Sequence, residues 1–157
     1  MTWHLRRASR ADLDPIMALE DAVYPDDAWS PLNMAAELEN PHGYYLVAVD
    51  ADDTIVAYAG LLAPIGTGQG DIQTVTVAPE ARRQGLARTL LLQLLNEARR
   101  RGAEEVFLEV RVDNEAAQAL YRELGFEVIS VRKGYYKGGI DALTMKLVVP
   151  PARTGPA

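Results

Sequence analysis

Two stretches of the chain hold residues whose types and spacing suit chemistry. In Val75-Thr-Val-Ala-Pro-Glu-Ala-Arg-Arg-Gln-Gly-Leu-Ala-Arg88 a β-branched run stops at Ala78-Pro79, arginines and one glycine follow, and a long amphipathic pattern begins. That order reads as a strand, a tight basic loop and a helix N-terminus. A helix start offers unpaired N–H groups and the positive end of a dipole, so it can hold a phosphate. Gly85 lets the backbone approach an anion without a Cβ in the way, and Arg82, Arg83 and Arg88 can add charge-assisted hydrogen bonds. The second stretch runs from Leu108 to Phe126. Strand alternation sets Val106, Leu108, Val110 and Val112 on one face and Phe107, Glu109 and Arg111 on the other. A carboxylate inside a strand is costly unless it is paired or functional. On the helix that follows, Asn114, Gln118 and Tyr121 stand at i, i+4 and i+7, beside an apolar stripe of Ala117, Leu120 and Leu124. Tyr121 therefore sits where a phenol can pack its ring and expose its hydroxyl.

The elements that must position these groups are legible in outline. Leu5 to Ala8 reads as a first strand. Ser9 with Asp12 is a capping-box variant before a helix through Ile16, Leu19 and Glu20. Tyr24 to Trp29 is a loop, and Ser30-Pro31 caps and opens a second helix over Leu32 to Leu38. Tyr44–Val49, Thr54–Leu62 and Asp71–Val77 are strands, with a glycine-rich loop over Pro64 to Gly70. The long helix stops at Arg101-Gly102, and Asn114 caps another that ends at Gly125. Phe126–Lys133 and Asp141–Val148 are late strands. The order β-α-α-β-β-β-α-β-α-β-β is that of a mixed α/β sheet.

A chain of 157 residues that is 48% hydrophobic suits one domain with a single core. That domain is expected over 1–149, with 150–157 a proline-rich disordered tail. No apolar run reaches the length of a membrane span, and the N-terminus lacks an apolar signal core. With no cysteine and two distant histidines, His4 and His42, no metal site is expected. A net charge of −6 argues against a general nucleic-acid surface and is compatible with a cationic substrate or with plain solubility.

Arg82-x-x-Gly85-x-Ala87 resembles the pyrophosphate loop of the GCN5-related N-acetyltransferases. Leu108-Glu-Val-Arg, Asn114, Ala119-Leu-Tyr121 and Leu124-Gly-Phe126 are similar to the closing half of that family. Within it they are closest to the bacterial ribosomal-protein alanine N-terminal acetyltransferases. Gly134-Tyr135-Tyr136 with Asp141-Ala142-Leu143-x-Met145 resembles the tyrosine pair and strand that close over the acceptor peptide. The resemblance spans residues 3 to 149. It implies one domain with a twisted, mostly antiparallel sheet of about seven strands and about four helices, in a cytoplasmic enzyme that uses acetyl-CoA and no metal.

The resemblance also implies roles. Backbone of Val75, Thr76 and Val77 pairs with the pantetheine arm, and Arg82, Arg83, Gln84, Gly85, Leu86, Ala87 and Arg88 hold the pyrophosphate. Asn114 contacts the cofactor arm, Glu109 is the general base, through water, and Tyr121 is the acid that protonates the leaving thiolate. Trp29, Tyr135 and Tyr136 face the acceptor, a protein N-terminus, foremost that of a ribosomal protein beginning with alanine. Lysine side chains, polyamines or a small amine are the alternative acceptors, and a non-catalytic acyl-CoA-binding module is the alternative class. Plainer uses exist for the same residues: Glu109 paired with Arg111 or another arginine of its face, Tyr121 as packing, Trp29 as a core lid. Ala87 stands where glycine is common and Ile140 where the subfamily often has an acidic residue, which leaves the acceptor's identity open.

Overall fold

The computed structural model describes residues 2–150, so all but the first residue of the expected tail lies outside the described residues. Among the described residues there are seven strands: β1 (Trp3–Arg7), β2 (Gly43–Asp50), β3 (Ile55–Leu62), β4 (Gln69–Val77), β5 (Glu105–Arg111), β6 (Glu127–Tyr136) and β7 (Ile140–Val148). Four α-helices accompany them: α1 (Leu13–Val23), α2 (Pro31–Glu39), α3 (Leu86–Arg100) and α4 (Glu115–Glu123). One sheet holds the strands in the order β1-β2-β3-β4-β5-β7-β6. Every pairing is antiparallel except that of β4 with β5.

Strand alternation builds two apolar layers. On β2, Leu46 and Ala48 join the core under α3, with Leu90, Leu91, Leu94 and Ala98. The intervening Tyr45, Val47 and Val49 pack with Ile16 of α1 and Met34 of α2 on the opposite face. The helices thus cover both sides of the middle of the sheet.

Helix ends follow from local chemistry. Ser30 accepts a hydrogen bond from Asn33 N at 3.1 Å ahead of Pro31. At the end of α3, Gly102 (φ 84°) carries a Schellman turn, Ala103 N bonding Ala98 O and Gly102 N bonding Arg99 O. Element order agrees with the expected one, most boundaries shift by a residue or more, and three of the shifts bear on the site. β4 starts two residues early at Gln69, because Gln69–Asp71 find partners in β5. β6 runs on to Tyr136, carried by pairing of Tyr136 with Ile140. β5 ends at Arg111, so Val112 is exposed instead of continuing the inner face. The turn is fixed by Asn114 N bonding Arg111 O.

Candidate active site

β4 and β5 are parallel and pair only where Gln69, Gly70 and Asp71 face Glu105, Val106 and Phe107. From Ile72 and Leu108 onward the strands part, which leaves a wedge open toward their C-terminal ends with backbone groups of β4 unclaimed by β5. Residues of both strands line two adjoining cavities. One, of about 340 Å³, is bounded by Trp29, Asp71, Gln73, Glu109, Tyr135 and Tyr136 among others. The other, of about 170 Å³, brings Glu109 and Tyr121 together with Val75, Asn114, Tyr24 and Glu20.

Glu109 projects from β5 opposite Thr144 of β7. The Thr144 hydroxyl donates to Glu109 Oε2 at 2.6 Å, and Arg132 Nε lies 3.3 Å from Oε1. The arginine beside Glu109 is therefore Arg132 of β6. Arg111 turns away to Asp113 and, at 3.0 Å, to Asp27. Neither Thr144 nor Arg132 was singled out from sequence, and Thr144 is the unassigned position inside the Asp141–Met145 motif. Asp71 adds a second carboxylate to the larger cavity, where burial, together with the charge of Glu109, raises its carboxyl above the usual range.

Tyr121 owes its position to the end of α4. Phe126 N bonds Tyr121 O and Gly125 N bonds Arg122 O, with Gly125 at φ 105°. This is a Schellman turn whose apolar contact is that of the Tyr121 and Phe126 rings, centroids 6.0 Å apart. A Cβ on Gly125 would meet the Leu147 side chain at 2.9 Å, so the Leu-Gly-Phe sequence has a steric reason as well. Burial raises the Tyr121 phenol far above its ordinary value and keeps its proton in place. Asn114 is the N-cap of the same helix, accepting from Ala117 N at 3.1 Å. Gln118, on that face, is buried and gives its amide hydrogens to Arg111 O and Val112 O, a structural use.

The basic loop sits at the C-terminal end of β4, outside the residues lining these two cavities. Gly85 is the N-cap of α3 at φ 75°, and a Cβ there would have nothing within 4 Å. The first bond of the helix runs from Thr89 N to Gly85 O, so Leu86, Ala87 and Arg88 keep their N–H groups free of helical partners. Arg83 is itself at φ 64°, rare for a residue with a side chain. Arg82 folds back onto Val77 O at 3.2 Å, and Arg88 pairs with Glu123 of α4. An open glycine, unspent amides and exposed Arg83 fit an anionic phosphate group.

Trp29 packs against the α1–α2 core cluster and also lines both cavities. Its backbone N–H donates to Glu20 Oε2 at 2.9 Å. Tyr135 and Tyr136 meet edge to face with centroids 5.1 Å apart, Arg132 lying over the first and Arg111 over the second. Burial pushes the Tyr136 phenol up to about 12. Tyr24 reaches across to β4, its hydroxyl 3.1 Å from Thr76 Oγ1 and donating to Val75 O at 3.4 Å. Thr76 is itself buried.

Comparison with known proteins agrees with this architecture. Residues 13–126 match the acetyltransferase (GNAT) family. The chain is 39% identical over 142 residues to the N-alpha-acetyltransferase RimI of Mycobacterium tuberculosis, covering 88% of this chain and 87% of that one. It is 36% identical over 109 residues to the ribosomal protein bS18-alanine N-acetyltransferase of Salmonella typhimurium, covering 68% and 72%. The crystal structure of the ribosomal-protein-S18-alanine N-acetyltransferase from Escherichia coli superposes with a TM-score of 0.82 at 26% identity, over 99% of both chains. With a parted β4–β5 pair, a glycine-capped basic loop and matches of this extent, the chain belongs to the acetyltransferase (GNAT) family.

Proposed function

We propose that this acetyltransferase moves the acetyl group of acetyl-CoA onto the α-amine of a protein N-terminus, foremost that of a ribosomal protein beginning with alanine. The observation that carries the reading is the smaller cavity, in which Glu109, Tyr121 and backbone of β4 bound one space. The relatives' names supply the acceptor, and the acidic walls agree with it: Glu20, Asp27, Asp71 and Glu109 face the two cavities. The loop from Arg82 to Arg88 holds the pyrophosphate, and the unpaired edge of β4 at Val75–Val77 holds the pantetheine arm, with Asn114 alongside.

Acetyl-CoA supplies an acyl group already activated as a thioester. Glu109, through water, takes the proton from the attacking amine, and Thr144 and Arg132 hold that carboxylate in place. Backbone N–H groups at the open edge of β4 face the carbonyl oxygen as negative charge grows on it. The new C–N bond forms as the C–S bond breaks, and the Tyr121 hydroxyl gives its proton to the departing sulfur. An α-amine has a pKa of about 7.7–8.0 against about 10.4 for lysine, so roughly a tenth of it is neutral at pH 7. A carboxylate base therefore serves a chain end better than a lysine side chain. Incubation with a panel of N-terminal peptides whose lysines are blocked, followed by mass spectrometry, tests the reading. Acetyl is expected on the first residue. Modification confined to internal lysines or free polyamines overturns the acceptor and leaves the family assignment standing.

A further inference from the structure

Among the described residues three carboxylates are buried, Asp12, Glu20 and Glu97, and two of the three are paired with arginine. Buried Asp12 is held by Arg6, and buried Glu97 by Arg100 and Arg101. Glu109, less buried, has Arg132. Glu20 is more deeply buried than any of these, at 2% exposure, and no cation pairs with it among the described residues. Its two hydrogen-bond partners are donors: the Tyr58 hydroxyl on Oε1 and the backbone N–H of Trp29 on Oε2 at 2.9 Å. These fix the carboxylate in orientation and use half of the lone-pair sites it offers. Neither brings a positive charge. Burying a carboxylate without a counter-charge is unfavourable, and such groups are found paired or bound to a cation.

The place where the counter-charge is missing is an open one. Glu20 stands on the wall of the smaller cavity, on the α1 side, with Glu109 and Tyr121 on the β5 and α4 side. Arg111, the cation on that wall, is taken by Asp27 and Asp113.

We propose that Glu20 is the substrate-binding carboxylate for the acceptor's ammonium group: the amine enters charged, is held against Glu20, and passes its proton toward Glu109. This rests on the acceptor reading above and adds a residue to it. It divides the work between two carboxylates. Glu109, partly compensated by Arg132, takes the proton, and Glu20, uncompensated, attracts the cation. It also explains why the Tyr24–Trp29 loop is anchored through Trp29 N–H to this side chain, since binding group and cavity wall are then set together.

The test compares two peptides that differ only in charge, one beginning with alanine and one with a propionyl group in its place, in the presence of saturating CoA. Glu20→Gln keeps the acceptor for Trp29 N–H and can meet Tyr58 through its amide, so shape is preserved while charge is removed. The alanyl peptide should bind the variant about 10- to 100-fold more weakly than wild type. The propionyl peptide should bind both alike. Unchanged affinity for the alanyl peptide, or an equal loss for both peptides, overturns the assignment. Tyr58→Phe is a second arm independent of the first: it takes a donor from Glu20 and leaves the charge, so the alanyl peptide should bind as well or better. A loss shared by both peptides would make Glu20 a packing anchor. If wild type acetylates only lysine side chains, the N-terminal reading fails separately. Glu20 is then tested in the same way with a lysine peptide and its norleucine counterpart.

Discussion

A phenol that serves as an acid must be fixed, protonated and near the departing atom, and Tyr121 meets the first two through features that can be altered one at a time. Its carbonyl and ring are pinned by Gly125-Phe126, and burial holds its proton. Tyr121→Phe keeps the ring, so the melting temperature should hold while kcat falls by about 10²–10⁴. An undiminished rate would assign Tyr121 to packing. For Glu109, Glu109→Gln should lower kcat/KM by a similar factor and flatten the rise of rate with pH that a base produces, with acetyl-CoA affinity kept. A pH profile parallel to that of wild type would move the base elsewhere. Glu109 and Tyr121 were legible in the chain because each breaks a local pattern, a charge within a strand and a phenol at a helix margin. Thr144 and Arg132 were not, since their approach to Glu109 is set by the insertion of β7 between β5 and β6. Glu20 was hidden for the opposite reason: an acidic residue on an amphipathic helix reads as solvated face, and only tertiary packing buries it.

At the scale of elements, turn and cap chemistry made the secondary structure readable, because Ser30-Pro31, Arg101-Gly102 and Leu124-Gly125 act within a few residues. Strand ends were less so, since Gln69 and Tyr136 extend their strands only where partners exist. The basic loop combines both kinds of information. Arg83 holds a left-handed conformation that glycine would hold with less strain, and strain in the loop proposed to hold the pyrophosphate points to function. Arg83→Gly should therefore leave thermal stability equal or higher by about 1 kcal/mol while weakening acetyl-CoA binding, and Arg83→Glu should weaken it further by repulsion. Calorimetry showing unchanged affinity in both would remove Arg83 from the phosphate site. A second device sits in the turn of Arg10–Asp12 that leads into α1. The Arg6 guanidinium lowers the Asp12 carboxyl below its ordinary range, helped by Ser9 N–H at 2.8 Å. A lowered folded-state value adds stability above the unfolded pKa of about 3.9, and that stability is lost as pH falls through the folded value. Arg6 is largely solvated, so the pair is worth about 1 kcal/mol. Asp12→Asn should lower the melting temperature by about 2–4 °C at pH 7 and by less at about pH 3, below the unfolded carboxylate value. An equal deficit at both pH values would assign the loss to packing.

Across the whole molecule, the sheet is two antiparallel halves, β1–β4 and β5–β7, joined through three residue pairs at one end and parted at the other. The order of elements showed where each strand lies along the chain. It did not show the parting, because nothing in Ile72–Val77 or Leu108–Arg111 differs in pattern from strands that stay paired. What spans the open end is side-chain chemistry. Asp27, in the loop between α1 and α2, reaches Arg111 at the tip of β5, and Arg111 also lies 5.5 Å from the ring centre of Tyr136. The loop that walls the two cavities is thus strapped to the second half of the sheet. Both partners are partly solvated, at 33% and 24% side-chain exposure, so the strap is worth about 1 kcal/mol and is weakened by salt. That is too little to decide folding and enough to bias a loop. Asp27→Asn and Arg111→Leu should each speed amide hydrogen exchange in residues 24–30 and raise the peptide KM several-fold, with acetyl-CoA affinity and melting temperature nearly unchanged. Because the two residues act through one bond, the double variant should be no worse than the more affected single one. If the two effects on peptide KM simply add, Asp27 and Arg111 contribute separately and the loop is held by other contacts, the hydrogen bond from Trp29 N–H to Glu20 first among them.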